Sequence, residues 1–287
     1  MDYKKDLDEK GYTIIPNILT PDEVAQGKTL FKSWQNTIVN HEQFHKYMSP
    51  NGIYKYHRVG HTKHAWFIRT RPSIQDVFKQ IWDTDELVVS FDGSCYVSKD
   101  NMNITNKIWT HTDQASKSSE LQCYQGFVTL TDNKERTLVV YEGSHKLHET
   151  YFKDRHMCDS KNWQLIEHDY LEKIKDTKRI LHVPAGALVV WDSRTFHQNQ
   201  LGKPGSEERI IQYVSYLPKN NPKNTKAIQI KRLKYLLTQR TTSHWAYPLK
   251  VNSLQPQTYG NNSYLIDYDK YPLIDLSEYY EELMKIV

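Results

Sequence analysis

From residue 87 to 217 the chain is a succession of short runs rich in β-branched and aromatic residues, such as Leu138-Val139-Val140-Tyr141 and Ala187-Leu188-Val189-Val190-Trp191, separated by polar turns. Runs of four to eight such residues, bounded by turn formers, predict strands. Outside this region the apolar positions recur with helical spacing. Thr20-Pro21-Asp22-Glu23 is a helix start, with Thr20 as cap, Pro21 at the first helical position and Glu23 closing a capping box. The helix it begins continues through Val24, Leu30, Phe31 and Trp34, and further helical patterns lie near Ile74–Trp82, Ala227–Leu237 and, briefly, Leu276–Ile286. The pattern predicts a mainly β protein with flanking α-helices. Its core is a jelly-roll barrel over 87–217, buttressed by an N-terminal helical part over 1–86 and followed by a C-terminal extension over 218–287. No internal repeat, low-complexity segment or linker divides it, so 1–287 reads as a single domain.

Composition narrows the setting. With 287 residues, 38% hydrophobic and 12% aromatic, the chain can bury a sizeable core. The mean hydropathy of -0.74 predicts a strongly polar surface. No apolar run approaches the roughly 20 residues that cross a bilayer, and Met1-Asp2-Tyr3-Lys4-Lys5-Asp6 places charges where a signal peptide would be apolar. A cytoplasmic protein without a membrane partner is expected. Cys95, Cys123 and Cys158 are few, odd in number and lack a Cys-x-x-Cys spacing, so buried thiols are expected rather than disulfides or metal ligands.

The chemistry concentrates in Ile108-Trp109-Thr110-His111-Thr112-Asp113-Gln114 and, far along the chain, at His197. Residues i and i+2 of a strand point the same way, roughly 6.6 Å apart, so His111 and Asp113 can reach one ion. His197 follows the apolar run ending at Trp191 and supplies a third ligand from another strand. Two histidines and one carboxylate form a ligand set that covers one face of a ferrous ion and leaves other positions open. Twelve residues later Arg209 opens Arg209-Ile210-Ile211-Gln212-Tyr213-Val214-Ser215-Tyr216-Leu217. An arginine in an apolar strand needs an anion, and its planar fork suits a carboxylate. Gln125, Phe127 and Thr129 alternate on one face of a further strand, where they line either a pocket or the barrel interior.

Taken in order, these blocks resemble the phytanoyl-CoA dioxygenase-like branch of the Fe(II)- and 2-oxoglutarate-dependent oxygenases. The resemblance starts at Glu9-Lys10-Gly11-Tyr12-Thr13-Ile14-Ile15-Pro16 and Leu19-Thr20-Pro21-Asp22-Glu23-Val24. It runs through Trp109–Gln114, Gly126–Asp132 and Leu138–His145, then Pro184–Asp192 with His197 and Arg209, covering the chain to about residue 217. It implies a double-stranded β-helix (jelly-roll, cupin-like) fold. It also implies iron held by His111, Asp113 and His197 as metal and catalytic residues, and 2-oxoglutarate bound by Arg209 with Asn199, Gln125 and Thr129 nearby. O2 is the oxidant, ascorbate an accessory reductant, and succinate and CO2 are co-products. Halogenating relatives lack the carboxylate ligand, so Asp113 points to hydroxylation or a related oxidation, and a small-molecule substrate is expected. Two positions depart from the family pattern. Asn133-Lys134-Glu135-Arg136-Thr137 stands where Asn-Gly is common, and Asn199 stands where a small hydroxyl residue is usual.

Three other signals compete. His41-Glu42-Gln43-Phe44-His45 matches the His-Glu-x-x-His pattern of zinc hydrolases, although Ser49-Pro50-Asn51-Gly52 ends any helix there and no third ligand follows. Lys219, Lys223, Lys226, Lys231, Arg232 and Lys234 form a basic stretch, but a formal net charge of +4 is modest for a nucleic-acid binder. The basic, aromatic stretch His57–Arg71 precedes the barrel, and in relatives this region covers the active-site mouth. Arg69 and Arg71 are therefore expected to meet an anionic group of the substrate.

Overall fold

In the computed structural model, which describes residues 2–100 and 107–287, the short apolar runs form strands and the protein is mainly β with flanking helices. The chain packs as two compact units, one of Met1–Pro16 with Val97–Arg209 and one of Asn17–Tyr96 with Ile210–Val287.

Among the described residues the first unit carries the strands β1 (Tyr12–Ile15), β2 (His111–Thr112), β3 (Tyr124–Thr129), β4 (Leu138–Tyr141), β5 (Gln164–Leu165), β6 (Lys178–Ile180), β7 (Leu188–Asp192) and β8 (His197–Asn199). Antiparallel pairing sets β7 between β1 and β3, with Val189 facing both Ile14 and Phe127. All five residues of β7 are buried, which explains why it reads as a continuous apolar run rather than an alternating one. A second antiparallel sheet runs in the order β5-β2-β8-β4-β6. Tyr141, Tyr151, Phe152, Ile166, Leu171 and Phe196 form one apolar cluster of this unit.

An unanticipated helix, Tyr3–Lys10, precedes β1; Asp2 caps it and Gly11 ends it in the left-handed conformation. A Cβ on Gly11 would lie 2.5 Å from His145 Nδ1 and 2.7 Å from Thr195 Oγ1. Gly11 also accepts hydrogen bonds from the Asp192 N–H and the Thr195 hydroxyl, both at 2.9 Å. Only glycine allows this approach, and it clamps the 192–195 turn that leads into His197. The Asn133–Thr137 departure folds around Glu207, whose Oε1 accepts the backbone N–H groups of Lys134, Glu135 and Arg136 at 2.7–2.9 Å.

In the second unit Thr20 and Glu23 form the expected capping box at the start of the Pro21–Gln35 helix. Pro72–Trp82 and Lys226–Leu237 are helical, as their periodicity predicts. The C-terminal pattern resolves into a 3-10 turn, Ser277–Tyr279, and a short helix, Tyr280–Lys285. His41–Met48 and Lys63–Arg69 are helices as well. The predicted 209–217 strand is two strands, Arg209–Tyr213 and Tyr216–Pro218.

Three expectations are corrected here. Arg69 is fully buried and donates to the carbonyls of Gly60 (2.5 Å) and Asp92 (2.6 Å). Arg71 pairs with Glu23 at 3.3 Å. Arg69 therefore ties the fold together instead of facing a substrate, because a buried guanidinium must fill its donors locally, and the half-buried Arg71 is engaged by a carboxylate of its own chain. Arg232, inside the basic stretch, is likewise buried and donates to the carbonyls of Val89 (2.8 Å) and Ala246. Of the three cysteines, Cys95 and Cys123 are buried, but Cys158 is exposed.

Four buried histidines set the acid stability of this unit. Burial pushes His45 and His57 down to about 4 and His61 and His64 down to about 3, from 6.5. Their folded pKa values lie below the unfolded one, so the unfolded chain takes up protons first as pH falls through 6.5. Stability present at neutral pH is then lost, with a slope of up to about 1.4 kcal/mol per pH unit for each histidine. Denaturant midpoints should fall between pH 6.5 and 5, before most carboxylates titrate. A flat profile over that window would contradict the burial account.

Candidate metal centre

β2 and β8 are paired so that His111 and His197 stand directly opposite one another, and residues opposite in register share a face of the sheet. Asp113 lies two residues past His111. Its N–H donates to the Ser193 carbonyl at 3.1 Å, and the Thr112 hydroxyl donates to the same oxygen at 2.8 Å. Ser193 in turn donates to Gln114 Oε1 at 2.8 Å. The two chain segments that carry the ligands are thus tied together just beyond them.

The three side chains converge. Asp113 Oδ2 is 3.7 Å from His111 Nε2 and 3.4 Å from His197 Nε2, and the ligand atoms of all three lie within 4.8 Å of one another. Metal bonds of about 2.0–2.2 Å meeting at right angles hold their donors ~3 Å apart, so little movement is needed. The other ring nitrogens are committed: His111 Nδ1 lies 3.0 Å from the Trp109 carbonyl and His197 Nδ1 lies 2.9 Å from the Thr195 carbonyl. A carbonyl only accepts, so each Nδ1 carries the proton and each Nε2 presents a lone pair, the arrangement of metal-binding histidines. Burial, reinforced by His111, lowers the pKa of His197 against the opposing pull of Asp113. The ring is thereby kept in its neutral, ligating form.

Around the triad, Gln125 Nε2 donates to Asp113 Oδ2 at 3.1 Å. Trp109 stacks on the His111 ring at 4.9 Å, and its indole N–H donates to the Asn199 carbonyl at 3.1 Å. Arg209 is fully buried. Its Nη1 donates to Asn199 Oδ1 at 2.9 Å, and its guanidinium lies 5.5 Å from the Phe127 ring centroid. Its Nε and Nη2 have no hydrogen-bond partner among the described residues. A buried cation with two idle donors is costly unless an anion completes it, and a carboxylate of 2-oxoglutarate fits that need. Thr129 is placed differently: its hydroxyl donates to the Thr131 carbonyl at 2.5 Å and accepts from the Thr131 N–H at 3.2 Å, closing its own turn. Trp163, which the sequence reading passed over, lies 5.5 Å from the His111 ring. Nothing in Trp163-Gln164-Leu165-Ile166 itself marks that approach, because the pairing of Leu165 with His111 joins segments far apart in the chain.

The rival zinc motif does form a helix, but His45 Nε2 is engaged by the Tyr96 carbonyl at 2.8 Å. Among the described residues, His111, Asp113 and His197 make up the group of metal-ligating side chains that converges.

The sequence profile of the family "Phytanoyl-CoA dioxygenase (PhyH)" matches residues 7–200, more than half of the chain. The protein belongs to the phytanoyl-CoA dioxygenase family. It is thus a 2-oxoglutarate-dependent oxygenase with the double-stranded β-helix, cupin-like fold. A curated relative, the Ava biosynthesis cluster protein O of Aspergillus versicolor, is 27% identical over 76% of this chain and 78% of its own. Among solved structures, GlcNAc Inducible Gene 2 (GIG2, DUF1479) from Candida albicans shares the fold with a TM-score of 0.70 at 13% identity, covering 99% of this chain and 75% of that one. HygX from Streptomyces hygroscopicus, solved with nickel and 2-oxoglutarate bound, has a TM-score of 0.51 at 13% identity, covering 75% and 85%. No helix among the described residues of this family member is long and apolar enough to cross a membrane.

The Gln125 contact gives a direct test of the centre. In Gln125→Leu the Asp113 carboxylate loses an amide donor, and metal affinity should drop about 10–100-fold, as for other outer partners of metal ligands. Anaerobic titration with Ni(II) measures it; an unchanged affinity would show that the hydrogen bond plays no part in ligand orientation.

Proposed function

We propose that this protein is an Fe(II)- and 2-oxoglutarate-dependent hydroxylase of a small molecule, acting in the cytoplasm as one oxygenase domain of residues 1–287. The observation that carries the reading is the pairing of two incomplete sites on one strand. His197 of β8 belongs to the converged triad, and Asn199, two residues on, holds the half-filled guanidinium of Arg209. A 2-oxo acid with a second carboxylate would complete both.

In this reading His111, Asp113 and His197 bind the metal, while the Trp109 and Thr195 carbonyls keep a proton on each Nδ1 and so keep each Nε2 available. Arg209, braced by Asn199, orients the distal carboxylate. Gln125 holds the Asp113 carboxylate, and Trp109 and Phe127 are apolar walls that exclude water from the pair. Iron and 2-oxoglutarate bound there would supply the oxygen-activating chemistry, with succinate and CO2 as co-products and ascorbate as accessory reductant. Asp113 fills the ligand position that a halide would otherwise take, which favours hydroxylation. The biosynthesis-cluster relative supports a small-molecule substrate.

The test is anaerobic loading with Fe(II) and 2-oxoglutarate, then oxygen, with succinate measured and a metabolite mixture screened for oxygen-dependent loss. Succinate formation that needs all three additions is expected. Failure of Fe(II) and 2-oxoglutarate to bind would sink the proposal.

A further inference from the structure

The second sheet carries a row of directly opposed residues, Leu165 on β5, His111 on β2, His197 on β8 and Val140 on β4. Opposed residues share a face, so Leu165 lies on the same face as the two histidines. Trp163 precedes Leu165 by two residues and falls on that face too. Its ring sits 5.5 Å from the His111 ring, tilted by 35°. Gln164 and Ile166, on the other face, are buried. Yet Trp163 is 38% exposed and Leu165 52%. These large apolar side chains remain open to solvent beside a ligand of the candidate metal centre. Lys161 lies 5.5 Å from the Trp163 ring centroid and is itself exposed, so it can yield to or cap an incoming ring.

Contiguous exposed apolar surface joined to a buried polar site marks a place that a ligand covers. An indole contributes a broad flat surface with little conformational freedom to lose, and it prefers a planar partner stacked in offset fashion. We infer that Trp163, with Leu165, is a specificity-determining platform at the mouth of the metal centre, and that the substrate presents a planar, apolar ring to it. This rests on the oxygenase reading and names the substrate class of that same site. The role of Trp163 is to choose and position the substrate.

Indole serves as the planar probe and cyclohexanol as a non-planar one of similar size. The full chain is loaded under nitrogen with Mn(II), a paramagnetic stand-in for iron, and 2-oxoglutarate, and the relaxation of the probe protons is followed by NMR. In the wild type, indole should relax faster than cyclohexanol. In Trp163→Ala the indole enhancement should fall at least fivefold with Mn(II) and 2-oxoglutarate binding unchanged, and in Trp163→Phe most of it should remain. Leu165→Ala, at an edge strand, should weaken it by a smaller factor and supplies a second variant should the tryptophan replacement misfold. Equal enhancement for both probes, or an indole signal indifferent to both Trp163→Ala and Leu165→Ala, overturns the platform while leaving the oxygenase reading intact. A wild-type protein that binds neither Mn(II) nor 2-oxoglutarate overturns the oxygenase reading and this inference with it.

Discussion

In Asp113→Ala, Fe(II) binding and oxygen-dependent succinate formation should both be lost, by more than the roughly 10–100-fold that removal of an outer partner costs. The carboxylate is the anionic member of the triad and the atom to which both Nε2 positions are closest, at 3.7 and 3.4 Å. Without it, two imidazoles remain opposite one another across β2 and β8, only two ligands and no negative charge to hold a ferrous ion against solvent. The fold should hardly notice. The Gln125 amide loses one acceptor, a cost of about 1 kcal/mol, so the denaturation midpoint of the metal-free protein should stay near that of the wild type. Metal binding by anaerobic calorimetry and unfolding by circular dichroism separate the two effects. Full Fe(II) affinity in this variant would remove Asp113 from the ligand set.

Arg209→Leu should leave metal affinity nearly intact and raise the KM for 2-oxoglutarate by tens- to thousands-fold. Leaving a desolvated carboxylate without its partner costs about 2–5 kcal/mol. The metal-free variant should be about as stable as the wild type, because removing a fully buried cation with two unfilled nitrogens offsets the cavity that the shorter apolar side chain leaves. Loss of co-substrate binding with no loss of stability is a combination that general unfolding cannot mimic. Arg209→Lys should fall between, since a point charge cannot reproduce the fork. Unchanged 2-oxoglutarate affinity in Arg209→Leu would detach this arginine from the co-substrate.

The parts of the molecule legible from the chain are those governed by local periodicity. His111 and Asp113 were found because a strand repeats every two residues, and the Pro21–Gln35 helix because Thr20 and Glu23 mark its start. The contacts that required distant partners were not legible. Arg69 and Arg71 have the composition of a substrate-facing patch, yet carbonyls of Gly60 and Asp92 and the carboxylate of Glu23 engage them. Nothing within a few residues of an arginine reveals that. The helix Lys63–Arg69 escaped notice because all but its first residue are buried, which removes the polar face that periodicity detects. Gln125 was read as a pocket residue on alternation alone. Its actual contact, Asp113 Oδ2, depends on how β3 lies against a ligand twelve residues earlier.

The spacing of His197 and Asn199 on β8 has a consequence for which keto acid the protein accepts. One residue presents a metal ligand and the other braces the guanidinium, and an extended backbone holds them roughly 6.6 Å apart with almost no give along its length. β8 therefore acts as a ruler. On the proposed function, keto diacids with one carbon fewer or one more should bind more weakly than 2-oxoglutarate, a discrimination by chain length that would rest on the main chain rather than on the volume of a pocket.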